Sequence, residues 1–183
     1  MAPATSTKLT YEDYCLLPDD GRRHEIIDGE HYVNPSPNTK HQRISRKIAF
    51  AIAAYAEPRG LGEVFYAPYD VLLSDINIVE PDIIYVSAAR SRIITDANIK
   101  GAPDLVVEIL SSGNRKYDEV VKFKLYDALG VVEYWIVDPD QETVKIYRQS
   151  TAGFKQAPAG DAITTPIIPG FELPLREIFD FAL

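Results

Sequence analysis

The stretch that most constrains the fold runs from Pro103 to Tyr126, PDLVVEILSSGNRKYDEVVKFKLY. Leu105, Val106, Val107, Ile109 and Leu110 make both alternating faces apolar, the pattern of a strand covered on both sides. Glu108 breaks that pattern. Burying its charge unpaired costs on the order of several kcal/mol or more, so the strand predicts either an opening to water or a group that binds the carboxylate. Ser111, Ser112, Gly113 and Asn114 then read as a polar turn. A helix follows from about Lys116 to Leu129, with Gly130 as its C-terminal cap.

The flanking segments have their own signals. Thr10 is placed to cap a short helix from Tyr11 to Leu17, and Asp28-Gly29 between two β-like runs predicts a hairpin over residues 24–33. A helix is expected over Thr39 to Ala56, with Ile44, Ile48, Ile52 and Tyr55 on one stripe that His41 extends. The span from Glu63 to Val86 reads as two strands paired as one hairpin, with Pro81 at a strand start or an edge. A second hairpin joins Val132–Asp138 to Thr143–Gln149, and the proline-rich tail reads as loop closing on a short LREIF helix. Helix, strands and a strand-helix-strand crossover together predict an α/β (α+β) fold with a mixed sheet, formed as one domain over 1–183.

Composition excludes some classes. No apolar run approaches the roughly 20 residues of a membrane helix, and MAPATSTKLT lacks a basic region followed by an apolar one, so a cytoplasmic chain is expected. Cys15, the single cysteine, is expected to be a small buried apolar residue. A net charge of −8 argues against a surface that grips nucleic acid everywhere. Residues 36–60 nevertheless carry Lys40, Arg43, Arg46, Lys47 and Arg59 against Glu57 alone, a local excess that can meet phosphates or simply face water.

Spacing selects the carboxylate that can work with Glu108. Asp104 lies on the same strand four residues away, about 13 Å at 3.3 Å per residue, too far to share an ion. Asp82, in EPDIIYV, belongs to a different strand and comes close if the two strands are neighbours. Two carboxylates held together repel unless a cation sits between them, and oxygen-rich sites suit Mg²⁺ or Mn²⁺. Ordinary salt bridges at strand ends are the alternative. Lys122 shares a helical face with Asp118 and Tyr126, whereas Lys124, about 200° away on the wheel, is expected to face water.

RHEIIDGE, the helix-opening His41, EPDIIYV, PDLVVEILS and DEVVKFKLYDALGVVEYWIVDP together resemble the Uma-two family, a branch of the PD-(D/E)xK superfamily of restriction-endonuclease-like nucleases. The resemblance implies that Asp82 and Glu108 are the two acids of the superfamily pattern. It departs at the third position, where Leu110 stands for the expected lysine, and implies that Lys122 takes that role from the following helix. It further implies a Mg²⁺-dependent (or Mn²⁺-dependent) DNA endonuclease with a metal held by Asp82, Glu108 and the carbonyl of Ile109, and with Glu25 and His41 as an additional site. Arg43, Lys47, Arg115 and Lys116 are then the expected phosphate contacts. A homodimer joined through late-hairpin aromatics such as Tyr147 is expected by analogy with nucleases that cut both strands. A catalytically silent or partner-dependent module on the same scaffold is the rival reading, because fold alone does not carry function.

Overall fold

Thr10 opens the first element by accepting from the amide of Asp13 while the Asp13 carboxylate accepts from the amide of Thr10, a reciprocal cap on the one-turn helix α1 (Tyr11–Tyr14). The structure, a computed structural model, describes residues 8–111, 113, 115–158 and 160–181. Ser112 and Asn114 of the expected turn, and the N-terminal residues 1–7, lie outside the described residues. The helix is shorter than expected and buries nothing, which leaves Cys15 exposed rather than packed away.

β1 (Arg23–Ile27) and β2 (Glu30–Asn34) form the expected hairpin. Asp28 and Gly29 turn it, with φ of 52° and 78°, the paired positive values that a two-residue turn requires. In α2 (Thr39–Ala56) the Asn38 side chain accepts from the amide of His41, and His41, Ile44, Ile48 and Ile52 are buried along one stripe.

The single hairpin expected over residues 63–86 is corrected. β3 (Gly62–Tyr66) pairs with β6 (Ile83–Ser87), but β4 (Val71–Ser74) and β5 (Asn77–Val79) intervene and pair with each other in a different sheet. The reason lies between Tyr66 and Val71, where Pro68 cannot donate to a ladder and the chain leaves one sheet for the other.

β7 (Ile99–Lys100) and β8 (Leu105–Ile109) follow, then a π-helical turn, Tyr117–Lys122, running into α3 (Phe123–Leu129). The second hairpin is β9 (Glu133–Asp138) with β10 (Thr143–Ser150). The tail is more ordered than expected: β11 (Gly153–Gln156), β12 (Ala162–Thr164) and β13 (Glu172–Pro174) precede α4 (Leu175–Phe179). Tyr147 is half-buried rather than exposed: it packs edge-on against Phe123 at 4.8 Å between ring centres and lies beside Phe154.

Among the described residues six strands form the larger sheet in the order β11-β10-β9-β8-β6-β3, and five form the second in the order β2-β1-β5-β4-β7. β8 and β9 run parallel in the larger sheet, because the helical crossover through α3 joins them. On one face Leu105, Val107 and Trp135 pack against Ile44, Ile48 and Ile52 of α2. On the other, Val106, Ile84 and Tyr134 pack with Leu125 and Tyr126 of α3. Glu108 therefore points toward α3. Among the described residues no helix is long and apolar enough to cross a membrane.

Gly62 holds the β3–β6 pair at close range, with φ at 158°, and a Cβ there would lie 2.3 Å from the Val86 carbonyl oxygen. Gly62→Ala is expected to lower stability by about 1–3 kcal/mol, read as a lower urea midpoint at unchanged slope.

Candidate active site

Asp82 stands one residue before β6, and β6 pairs with β8 through Ile83↔Val107 and Ile84↔Val106. Extending that antiparallel register by one step sets Asp82 opposite Glu108. Both side chains are almost fully buried, at 3% and 2% exposure. Asp82 Oδ1 accepts from Arg23 at 2.8 Å; its Oδ2 accepts from the Ile109 amide at 2.8 Å and pairs with His41 Nε2 at 3.0 Å.

Glu108 is met from the helix. Its Oε1 accepts from Lys122 Nζ at 2.9 Å and from the Tyr126 hydroxyl at 2.7 Å. Lys122 also reaches Glu25 Oε1 at 2.9 Å and lies 3.8 Å from Asp118. Glu25, on β1, accepts in addition from the Glu80 amide at 2.8 Å, from Asn34 at 2.7 Å and from the Tyr117 hydroxyl at 3.2 Å. Lys124 is exposed, as the helical wheel predicts.

The π turn explains how one helix supplies so many of these groups. In an ordinary α-helix residues five apart sit about 140° from one another, so Tyr117 and Lys122 could not share a face. The i→i+5 winding of Tyr117–Lys122 brings fifth neighbours into line, and Tyr117, Asp118, Lys122 and Tyr126 all face the Glu25–Glu108 cluster.

Charge balance sets the titration of the cluster. Burial pushes Glu108 up, Lys122 pulls it back, and the neighbouring Asp82 and Glu25 raise it again, to about 7. Asp118 is pushed up to about 8, first by burial and then by Glu108 and Glu25. Burial also favours protonation of Asp82, but His41, Arg23 and the Ile109 amide outweigh it and hold the carboxyl at about 2. For Lys122 burial favours the neutral amine, yet Glu108, Glu25 and Asp118 keep it firmly charged.

The residues at the site test whether a divalent ion fits. Four buried carboxylates, Glu25, Asp82, Glu108 and Asp118, face the cations Lys122 and Arg23, which leaves negative charge in excess when all are ionised. A small cavity of about 10 Å³ between Arg23, His41, Asp82, Glu108, Asp118 and Lys122 has room on the order of one water. Among the described residues no three His, Cys, Asp or Glu groups already stand in a metal-binding arrangement. Donor type and charge fit an oxygen-seeking cation.

The expected outer residues scatter. Arg115 is bound bidentately by Asp138 at 2.6 and 3.0 Å, and Lys47 ties down the carbonyls of Glu177 and Asp180. Arg43 and Lys116 are exposed. Arg23 was the main residue that sequence reasoning missed. Its signal was present, since Arg23 and Glu25 are two apart on β1 and so share a face.

With this geometry in hand, the sequence matches the model of the Uma2 family, described as "Putative restriction endonuclease", over residues 11–176. The chain belongs to the Uma2 family. Its fold is also that of a crystal structure described as a putative nuclease belonging to DUF820 from Anabaena variabilis ATCC 29413. That similarity has a TM-score of 0.78 at 23% identity and covers 93% of this chain and 97% of the other. Among curated proteins, none matches this Uma2-family chain.

The titration has a sign that can be measured. Glu108 and Asp118, raised to about 7 and about 8, contribute stability that is complete below the ordinary carboxylate range and is lost as pH rises through those values. Asp82, held at about 2, contributes stability that is lost only under strong acid. The thermal midpoint in EDTA is therefore expected to fall from about pH 6 to about pH 8.5, and Mn²⁺ is expected to raise it more at the upper end. A midpoint that is flat or rising across that window contradicts the coupling.

Proposed function

We propose that this chain is a metal-dependent DNA endonuclease hydrolysing phosphodiester bonds, with Asp82, Glu108 and Lys122 as its catalytic set. The family and the shared fold support a nuclease-like role. The observation that carries the reading is Lys122, whose Nζ lies 2.9 Å from Glu108 although it comes fourteen residues later in the chain. It brings from the helix the cation that Leu110 cannot offer from the strand.

Asp82, Glu108 and the carbonyl of Ile109 would hold Mg²⁺ or Mn²⁺. A bound divalent ion supplies a water of lowered pKa and offsets charge on phosphate oxygens. Lys122 positions that water or stabilises the charge that develops on the phosphate. Glu25 restrains Lys122 from the second sheet. Tyr126 orients Glu108, and His41 and Arg23 hold Asp82 in its ionised form. Arg43 and Lys116, both exposed, remain for backbone phosphates, whereas Arg115 and Lys47 are committed to protein partners.

One observation favours the rival, a catalytically silent or partner-dependent binding module. Both Asp82 oxygens and Glu108 Oε1 already accept hydrogen bonds within the protein, so these carboxylate oxygens are satisfied without an added cation. Calorimetry separates the two readings: Mn²⁺ binding abolished by Glu108→Ala supports the nuclease, and no Mn²⁺ binding with DNA affinity flat across salt supports the module.

Purified protein with supercoiled plasmid and Mg²⁺ or Mn²⁺ is expected to give nicked product. Glu108→Ala and Lys122→Ala are each expected to cut at least about a hundredfold more slowly. Glu108→Gln, which keeps the side chain's shape, guards against a folding defect. Equal nicking by wild type and both Glu108 variants refutes the assignment.

A further inference from the structure

Among the described residues three buried side-chain atoms have no hydrogen-bond partner: Arg23 Nε, His41 Nδ1 and Glu80 Oε2. All three belong to residues lining one cavity of about 1090 Å³ that reaches Asp82. Buried polar atoms are rarely left unpaired, and three around a single space mark it as a place where something polar binds. His41 and Glu80 are only 5% and 6% exposed, so these unpaired atoms belong to the cavity's buried wall rather than to open surface.

The outer part of the same cavity has a different character. Along α2 it follows one stripe, Gln42, Arg46, Phe50 and Ala53, about 16 Å of helix at 1.5 Å per residue. Tyr66, on the far wall, is 67% exposed and Phe50 is 72% exposed. Large apolar side chains with this much exposure are few among the described residues, and the two aromatic ones both line this cavity. Tyr66 also stands beside the carboxylate site, because the next residue, Ala67, donates its amide to the Asp82 carbonyl at 3.2 Å.

Charge alone does not make this a duplex-gripping surface. Arg22, Arg43 and Arg46 line it, but so do Asp19 and Glu57, and the balance is close to neutral. What the cavity offers instead is two open aromatic faces with a few arginines between them and a set of unpaired polar atoms at its inner end. In a duplex the bases stack on one another and have no face to give; in an unpaired strand each base does.

Resting on the nuclease reading, we infer that the strand this site takes is single-stranded DNA, with bases stacked on Phe50 and Tyr66, phosphates met by Arg22, Arg43 and Arg46, and the polar edge of one nucleotide held by Arg23, His41 and Glu80. The strand follows α2 inward and delivers a phosphodiester to Asp82 and Glu108.

Fluorescence anisotropy of a short labelled single strand, beside the same sequence as a duplex, tests this in EDTA, where no cleavage interferes. The single strand is expected to bind about tenfold more tightly, and Phe50→Ala and Tyr66→Ala each to weaken it by about tenfold. Phe50→Trp is expected to retain binding, because the stacking face remains. Three phosphate contacts predict a slope of log affinity against log salt of about −2. Equal or tighter duplex binding, or wild-type affinity in both alanine variants, overturns the inference. The two readings fail separately: plasmid nicking with duplex-preferring binding removes only the strand class, and single-strand preference without cleavage of single-stranded circular DNA in Mg²⁺ or Mn²⁺ upholds the groove while removing the nuclease.

Discussion

The ammonium of Lys122, 2% exposed and held between Glu25 and Glu108, is the interaction on which the site depends. Each of its partners comes from a different part of the fold, Glu25 from the second sheet and Glu108 from the larger one. A buried ion pair is weak testimony for stability, since desolvating the charges cancels much of their attraction. Its effect here is to set position. Removing Lys122 leaves the buried carboxylates of Glu25 and Glu108 without their shared cation, so the three elements must meet in one arrangement.

Two devices make that arrangement reachable. The antiparallel register of β6 against β8 sets Asp82 opposite Glu108, and a shift of one residue would turn one of them to the α2 face. The π turn then rotates the start of the crossover helix so that Tyr117, Asp118, Lys122 and Tyr126 address one cluster, Tyr117 meeting Glu25 and Tyr126 meeting Glu108. Wide turns of this kind break the regular hydrogen-bond pattern and are frequent at functional sites. Together they place the cation that the strand lacks beside the carboxylates that need it.

Local signals explain how much of this could be read in advance. The β1–β2 turn was legible because Asp28-Gly29 tolerates two successive positive φ values, and α2 because its isoleucines recur at helical spacing. Lys122 was legible because it shares a face with Asp118 and Tyr126. Other features left no comparable trace. The excursion through β4 and β5 looked like part of a single hairpin, since a β run carries no mark of which sheet it joins. Nothing local announced the Asp138 partner of Arg115, and Cys15 read as core until its helix proved to be one turn on the surface.

By itself the sequence determined the strand-turn-helix unit, the oddity of a carboxylate in an apolar strand, and the pairing of that carboxylate with Asp82 rather than Asp104. These follow from periodicity and reach, which are properties of short stretches of chain. Only the tertiary structure decided that Arg23 holds Asp82, that Glu25 crosses from another sheet to share Lys122, and that a cavity with two bare aromatics leads to them. Those are contacts between residues up to about a hundred positions apart, and no local pattern encodes them, because they exist only once burial has forced distant elements to satisfy one another's charge.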